Sequence, residues 1–250
     1  MRKTNAICAL LPLLVLLGGC EPGAHVLYGF MDAQGHWVVP PEYDDAQPFS
    51  GGLAAVKKGD RWGFVDREGR RVIEPVFQEA RSFTEGLAAV HAEGGWMFID
   101  TAGKAVITGP FEDALPFEDG LAAIVTDGKW GFVDREGRRA IRAGFDELDC
   151  RPDKSLLPAA PRCFREGLAA ARLGERWGYI DRHGRWSIEP RFEAARSFAE
   201  GLAAACEPVA DDACRFGYLD RRGGWAIPPR FLSAMHFSGG RAIAMVERNG

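Results

Sequence analysis

The sequence lacks three features: an excess of positive charge, a helical period of apolar residues, and an apolar run long enough to cross a bilayer comfortably. Its 250 residues include 31 Lys and Arg against 35 Asp and Glu, a formal net charge of −4. Nucleic-acid binding needs clustered basic side chains that neutralise phosphates, so this balance argues against a nucleic-acid partner. Without helical periodicity, an α-helical domain is not expected either.

Motifs of common enzymes and cofactor sites are also missing. The chain contains no Gly-x-Ser-x-Gly elbow for a nucleophilic serine and no glycine loop of the kind that cradles phosphates. It also lacks the dense alternating acidic loop of calcium sites. We therefore expect no cofactor, no metal centre and no enzymatic activity.

What the chain does contain is a unit of about 34 residues that recurs six times between residues 28 and 250. Every copy opens with an aromatic residue and carries a second aromatic fifteen positions later. The opening residues are Tyr28, Trp62, Trp96, Trp130, Trp177 and Phe216. A repeat of this length indicates an array in which each unit buries its apolar face against its neighbours.

The motifs inside the unit predict β-structure. An opening run such as Trp62-Gly63-Phe64-Val65 is aromatic and β-branched, as in a strand, and the following Asp-x-x-Gly is typical of a hairpin turn. A second strand follows, which we expect a proline to end, and a third strand contains Gly-Leu-Ala-Ala. These prolines are Pro41, Pro75, Pro190 and Pro229.

The predicted fold class is therefore all-β: six tandem β-meander or hairpin units in an open, curved, solenoid-like array. The array starts with a Trp-type strand and finishes with a Gly-Leu-Ala-type strand. These two strands are complementary, so a closed, propeller-like ring is the alternative.

These motifs resemble the WG-repeat family, also called KWG repeats, over residues 28–250. The resemblance rests on the Trp-Gly-Phe-Val/Ile-Asp opening, the Gly after the turn, the Ile-x-Pro and the closing Phe-x-Glu-Gly-Leu-Ala. Met97 in place of the glycine and Arg241 in place of the leucine depart from it. The resemblance implies an all-β architecture in exported or surface proteins of bacteria, generally without an assigned reaction.

The N-terminus has the features of an export signal. Arg2 and Lys3 precede an apolar stretch from residue 6 to 17, and Leu17-Gly18-Gly19-Cys20 resembles the lipobox of bacterial lipoproteins. That resemblance implies a signal peptide over residues 1–19, lipid on Cys20, a linker over residues 20–27, and attachment to the cell envelope at the outer membrane. The alternative is an ordinary cleaved signal followed by an incidental cysteine.

Four further cysteines flank the insertions that lengthen the fourth and fifth units. Cys150 and Cys163 bracket the first insertion, and Cys206 and Cys214 bracket the second. In an exported chain this placement predicts disulfides Cys150–Cys163 and Cys206–Cys214, each stabilising by roughly 2.5 to 3 kcal/mol. Metal ligation and free buried thiols are the alternatives.

Recurring residues are expected to be structural. The opening aromatics should pack in the core, and the acidic residues Glu85, Asp119, Glu166 and Glu200 should serve turns. Trp37, Trp186 and Trp225 lie outside the opening position, so they are the candidates for exposed ligand contacts.

The sequence thus favours a non-enzymatic, lipid-anchored envelope protein whose repeat surface binds another protein or an envelope polymer. One alternative is a cell-wall or polysaccharide hydrolase, or its accessory, with a site on the two insertions. The other alternative is a structural spacer.

Overall fold

The computed structural model describes residues 26–150, 161–208 and 214–247, and this part of the chain is all-β, as predicted. Cys20 and the expected signal lie outside the described residues, as do residues 151–160 and 209–213 of the insertions. No helix long and apolar enough to span a membrane occurs in the described ranges.

Four kinds of strand alternate along the chain. The Trp strands carry the opening aromatics: β1 (Tyr28–Met31), β5 (Arg61–Asp66), β9 (Gly95–Asp100), β13 (Lys129–Asp134), β17 (Arg176–Ile180) and β21 (Cys214–Leu219). The second strands follow them: β2 (Trp37–Tyr43), β6 (Arg71–Phe77), β10 (Ala105–Phe111), β14 (Arg139–Phe145), β18 (Trp186–Phe192) and β22 (Trp225–Phe231).

The other two kinds complete each unit. The short strands are β3 (Asp45–Ala46), β7 (Glu79–Ala80), β11 (Asp113–Ala114), β15 (Glu147–Leu148), β19 (Ala194–Ala195) and β23 (Ser233–Ala234). The Ala strands are β4 (Leu53–Lys58), β8 (Leu87–Ala92), β12 (Leu121–Thr126), β16 (Ala169–Leu173), β20 (Ala203–Pro208) and β24 (Ala244–Met245). The short strands were not anticipated from the sequence, because two residues carry no periodic signal.

Five four-stranded antiparallel sheets form from these strands in the order short, Ala, Trp, second. The first sheet comprises β3–β6, the second β7–β10, the third β11–β14, the fourth β15–β18 and the fifth β19–β22. Each sheet therefore joins the end of one sequence unit to the start of the next. The reason is local: a tight turn connects β4, β8, β12 and β16 to the Trp strands that follow them, as between the paired residues Lys58 and Arg61.

Two-stranded half-sheets stand at the two ends of the array. β1 pairs with β2 and β23 pairs with β24, and these half-sheets are not paired with each other within the described residues. The expected open array is therefore confirmed. The alternative, a ring closed by pairing the first and last strands, is not formed by residues 26–247 as far as the structure describes them.

The prolines do not end the second strands, contrary to the sequence prediction. β6 continues past Pro75 to Phe77, and its register against β5 shifts between the pairs Phe64–Ile73 and Trp62–Phe77. A bulge accommodates the proline, which could not donate a ladder hydrogen bond. The bulge also explains the glycine after the tryptophan, since a Cβ on Gly63 would lie 2.5 Å from the Ile73 carbonyl oxygen.

The hydrophobic core lies between consecutive sheets. Phe64 and Ile73 of the first sheet pack against Phe83 and Val90 of the second, with the Phe64 and Phe83 ring centroids 4.8 Å apart. Ala88, in the middle of β8, is fully buried in the same cluster. Small side chains on the Ala strands let neighbouring sheets approach and leave room for the aromatic rings, as expected.

Recurring carboxylates in the turns before the Ala strands link one sheet to the next. Glu85 accepts a hydrogen bond from the Gly120 amide at 3.0 Å, and Glu166 accepts one from the Gly201 amide at 3.1 Å. Glu85, Glu166 and Glu200 all have positive φ. The structural role predicted for these residues is confirmed.

Candidate functional site

A groove of about 410 Å³ crosses the third, fourth and fifth sheets at the end where the Trp strands begin. We call it the aromatic groove. It is lined by three opening aromatics and by the short strands with the residues that follow them: Leu115, Trp130, Glu147, Leu148, Asp149, Cys150, Trp177, Ala194, Ala195, Arg196 and Phe216.

The repeat places three rings along this groove. Trp130, Trp177 and Phe216 occupy the same position on β13, β17 and β21, each paired with an aromatic residue at the end of the neighbouring second strand. All three are only partly buried, whereas Trp96 of the preceding unit is 6% exposed. Trp130, Trp177 and Phe216 pack against core clusters, as predicted for the opening aromatics, but each keeps part of its surface exposed.

Both predicted disulfides are formed; one contributes a residue to the groove lining, and the other lies on strands next to it. Cys150 lines it and is bonded to Cys163, with their Cα atoms 4.0 Å apart. Cys206 is bonded to Cys214, with a Cα separation of 5.7 Å, and pairs across the strands with Phe216. The two lengthened units thus meet at one place in the fold.

Glu193, Cys206 and Cys214 bring potential metal-ligating atoms within 4.8 Å of one another. The two cysteines are bonded to each other. A disulfide supplies no thiolate, and the thiolate is the form of cysteine that ligates metals. In this state the group does not fit a metal.

Two acidic groups of the groove are held by neighbouring residues. Asp149 accepts hydrogen bonds from the Ser197 amide at 2.9 Å and the Ser197 hydroxyl at 3.0 Å. Glu147 accepts one from Arg172 Nε at 3.2 Å. The Asp149–Ser197 bonds connect the fourth sheet with the fifth, and the Glu147–Arg172 bond joins two strands of the fourth sheet.

Buried tyrosines fix the backbone beneath the groove. The Tyr179 hydroxyl donates to the Arg196 carbonyl at 2.9 Å, and the Tyr218 hydroxyl donates to the Met235 carbonyl at 2.9 Å. Burial raises the pKa of Tyr179, and the nearby charge of Asp149 adds to this effect. Burial also raises the pKa of Tyr218, partly offset by the positive charge of Arg196. Both hydroxyls therefore remain protonated donors at neutral pH.

The candidate contact tryptophans lie elsewhere, on the second strands. Trp37 is 50% exposed, and within the described residues no sheet precedes its half-sheet. Trp186 stands edge-on to Phe145 at 5.6 Å, and Trp225 stands edge-on to Phe192 at 5.8 Å. These two rings fill the space between neighbouring sheets, so Trp37 is the most accessible of the three. A ligand role for any of them stays a prediction.

A second cavity, of about 420 Å³, opens at the opposite end of the third and fourth sheets. We call it the ionic cleft; it is lined by Glu118, Asp119, Arg162, Phe164, Arg165, Glu166, Gly167, Arg182, Phe198 and Ala199. Glu118 is paired with Arg162 at 2.5 Å, and Asp119 with Arg182 at 3.4 Å. Burial raises the pKa of Glu118, although the charge of Arg162 opposes the shift.

Comparison with known proteins identifies the repeat. The model of the WG containing repeat matches residues 28–62, 62–94, 96–130, 177–207 and 216–250, more than half of the chain. The matches begin at five of the six predicted unit starts. No curated protein matches the sequence.

Solved structures of similar shape include three with low sequence identity. A eukaryotic initiation factor is 12% identical, with a TM-score of 0.41, covering 86% of this chain and 75% of that one. Hsv2p of Kluyveromyces lactis is 10% identical, with a TM-score of 0.44 and coverages of 80% and 70%. A protein of unknown function from Bacteroides caccae is 13% identical, with a TM-score of 0.32 and coverages of 73% and 79%. These likenesses carry no functional inference.

Proposed function

The chain belongs to the WG containing repeat family, and we propose that it is a non-enzymatic, lipid-anchored envelope protein that binds a partner protein through the aromatic groove. One observation carries this proposal: Trp130, Trp177 and Phe216 stay partly exposed along a single groove, whereas the equivalent Trp96 is buried. Trp96 shows that the fold can bury this ring, although Trp62 is also only partly buried. The alignment of three partly exposed rings along one groove therefore favours a binding role.

The groove has the composition of a recognition site for a protein segment. Aromatic anchors in pockets dominate protein interfaces, and a cavity of about 410 Å³ accommodates several side chains. The Cys150–Cys163 and Cys206–Cys214 bonds hold its flanks, which lowers the entropy cost of binding.

The anchor is proposed to be lipid on Cys20. It is supported by the basic N-terminus, the apolar stretch and the Leu-Gly-Gly-Cys motif, and the disulfides are typical of an oxidising compartment. Cells fed labelled palmitate should label the wild-type protein and leave Cys20→Ala unlabelled. Equal labelling of the two proteins would contradict the anchor.

Site-specific photo-crosslinking in intact envelopes tests the binding site. The photoreactive residue p-benzoylphenylalanine is placed at Ala194, which lines the groove, or at Glu79, which occupies the same position in the second unit and is exposed. We expect a discrete protein adduct from position 194 alone. The same adducts from both positions, or none from position 194, would refute groove binding. A glycan adduct from position 194 would show that the ligand is a polymer and not a protein.

Binding assays with the purified partner then distinguish a contact in the groove from a contact at Trp37, the exposed tryptophan predicted from the sequence. Trp177→Ala should weaken binding about tenfold or more, because truncating an interface aromatic costs more than 1.4 kcal/mol. Trp37→Ala should leave binding unchanged. The reverse result would place the contact on the N-terminal half-sheet; circular dichroism of both variants controls for folding.

The hydrolase alternative is favoured by one observation, the raised pKa of Glu118 in the ionic cleft beside Cys163. A carboxylic acid with a raised pKa can act as a general acid. Against this role, Glu118 is ion-paired with Arg162. If purified peptidoglycan released fragments with the wild-type protein and not with Glu118→Gln, the protein would be a hydrolase, and the proposal of a non-enzymatic binding protein would be wrong.

A further inference from the structure

Arg196, at the fifth-sheet end of the aromatic groove, carries a charge that the described part of the protein leaves unpaired. Its Nε atom is buried and has no hydrogen-bond partner. Its backbone is well anchored, since its amide donates to the Ala204 carbonyl at 2.9 Å and its carbonyl accepts from Tyr179. The side chain is therefore held at the groove wall by a rigid backbone.

The same position in the second unit shows what such an arginine does when it is structural. Arg81 follows Trp62 by nineteen residues, as Arg196 follows Trp177. Arg81 donates to the Asp113 carboxylate at 2.8 Å and to the Ala114 carbonyl, and its guanidinium lies 4.3 Å from the Trp96 ring centroid. One arginine thus closes the junction between the second and third sheets.

In the fifth unit the arginine is kept and its acidic partner is absent. The residues that correspond to Asp113 and Ala114 are Ser233 and Ala234, and Phe216 stands at the position of Trp96. A serine offers no charge to a guanidinium. The exchange of one residue therefore removes the ion pair and leaves the positive charge facing the groove.

Neighbouring acidic groups are engaged elsewhere. Asp149 is bonded to Ser197, and Glu147 to Arg172. On the adjoining strands, Glu193 is paired with Arg176 and Glu207 accepts from Trp225. A partly buried guanidinium without an anion is costly, so the arrangement favours an anion supplied by a ligand.

The surroundings select the kind of anion. A guanidinium fork binds carboxylates and phosphates in the same two-pronged geometry. Glu147 and Asp149 also line this groove, and their negative charges would repel a doubly charged phosphate more than a single carboxylate. Leu115, Leu148 and the aromatic rings then offer apolar contacts beside the charge. Flat sugar rings would use the aromatic faces but not the leucines.

We propose that the aromatic groove binds an acidic peptide segment of the partner protein, with a carboxylate on Arg196 and an adjacent bulky apolar side chain against Trp177 and Phe216. The proposal rests on groove binding as the proposed function and adds the class of ligand. It makes Arg196 the determinant of specificity and the aromatic rings the main source of affinity.

A displayed library of random heptapeptides, selected on the full-length protein, tests the ligand class without a known partner. Selection on wild type should enrich peptides with Asp or Glu next to a bulky apolar residue. Arg196→Leu should lose the acidic preference and keep the apolar one. Arg222→Leu, at an exposed hairpin tip, removes the same charge away from the groove and should enrich the same peptides as wild type.

The decisive measurement compares the affinity for an enriched peptide with that for the same peptide carrying Gln or Asn at the acidic position. Wild type should bind the acidic peptide about tenfold more tightly, the effect of one charged hydrogen-bonded pair, and Arg196→Leu should bind both equally. Indole N–H signals of Trp130 and Trp177 should shift on binding. Equal affinities in wild type, an undiminished ratio in Arg196→Leu, or no enriched peptide would overturn the proposal.

Two further outcomes distinguish this proposal from groove binding in general. If chitotriose shifts the indole signals and no peptide does, the acidic-peptide ligand is refuted, and the groove is a glycan site. If crosslinks from position 194 persist while no acidic peptide is selected, the ligand class is wrong and the proposed function stands. Inorganic phosphate that displaces the peptide at equal concentration would also overturn the preference for a carboxylate.

Discussion

The junction between the second and third sheets and the aromatic groove are built from the same repeat positions but differ in their contacts. At the junction, Arg81 lies over a buried Trp96 and is paired with Asp113. In the groove, Arg196 has Ser233 where that acid would be, and its buried Nε is unpaired. The junction is closed by the protein itself, whereas the groove offers the same kinds of side chain to a ligand.

If the groove binds as proposed, this difference shows how a repeat scaffold gains a site by losing a contact. The backbone positions of both arginines follow from the strand order, so no new element is needed. Cys150 of one disulfide lines the groove, and Cys206 of the other pairs across the strands with Phe216, which lines it too.

The largest expected effect comes from the disulfide beside the groove. Replacing Cys150 and Cys163 by Ser should lower the free energy of unfolding by about 3 kcal/mol, because the open chain gains entropy when unfolded. Urea denaturation measures the change, and hydrogen exchange should show lost protection in β15 and β16 but not in β7 and β8. Uniform loss across all sheets would show that the bond does not act locally.

A smaller effect on stability should distinguish Arg81 from Arg196. Arg81→Leu should destabilise the protein by about 2 kcal/mol, since it leaves Asp113 and the Ala114 carbonyl without their charged donor. Arg196→Leu should change stability by less than about 0.5 kcal/mol, because no side-chain hydrogen bond or ion pair within the described residues is lost. Thermal and urea unfolding of the matched pair measure the contrast. Equal losses would mean that Arg196 is structural.

The smallest expected effect on stability comes from a variant that gives Arg196 the same ion pair as Arg81. Ser233→Asp restores the acid that Arg81 has, so it should stabilise the protein by about 1 kcal/mol through a new, partly exposed ion pair. It should also abolish the preference for acidic peptides, because the guanidinium would already be paired. Ser233→Asn is the matched control without charge. Unchanged peptide selection with Ser233→Asp would contradict the role given to Arg196.

Much of the fold could be predicted from particular residues. The aromatic openings, the Asp-x-x-Gly turns and the Gly-Leu-Ala strands indicate β-units of about 34 residues, and the cysteines that bracket the insertions pair as expected. The path of the second strand past Pro75 was predicted wrongly, because a bulge that tolerates proline depends on the partner strand. The short strands were missed because two residues carry no periodic signal.

The candidate site was only partly predictable. The sequence placed a possible site near the insertions, which stays a prediction, and it gave no sign that the three groove aromatics pack against the core and are also partly exposed. A signal was present in the sequence: Arg81 and Arg196 share a repeat position, yet the acid Asp113 corresponds to Ser233. That signal has no meaning until the structure shows that these two positions touch across neighbouring sheets.

By itself, the sequence determined the unit, its period and its strand-forming segments, because these depend on side-chain chemistry within a few residues. Tertiary structure alone decided which aromatics are buried and which remain accessible. Trp96 and Trp177 occupy the same place in their units, but burial depends on the partners that the adjoining sheets supply. Contacts between sheets join residues more than thirty positions apart, so only the folded array shows where a contact is missing.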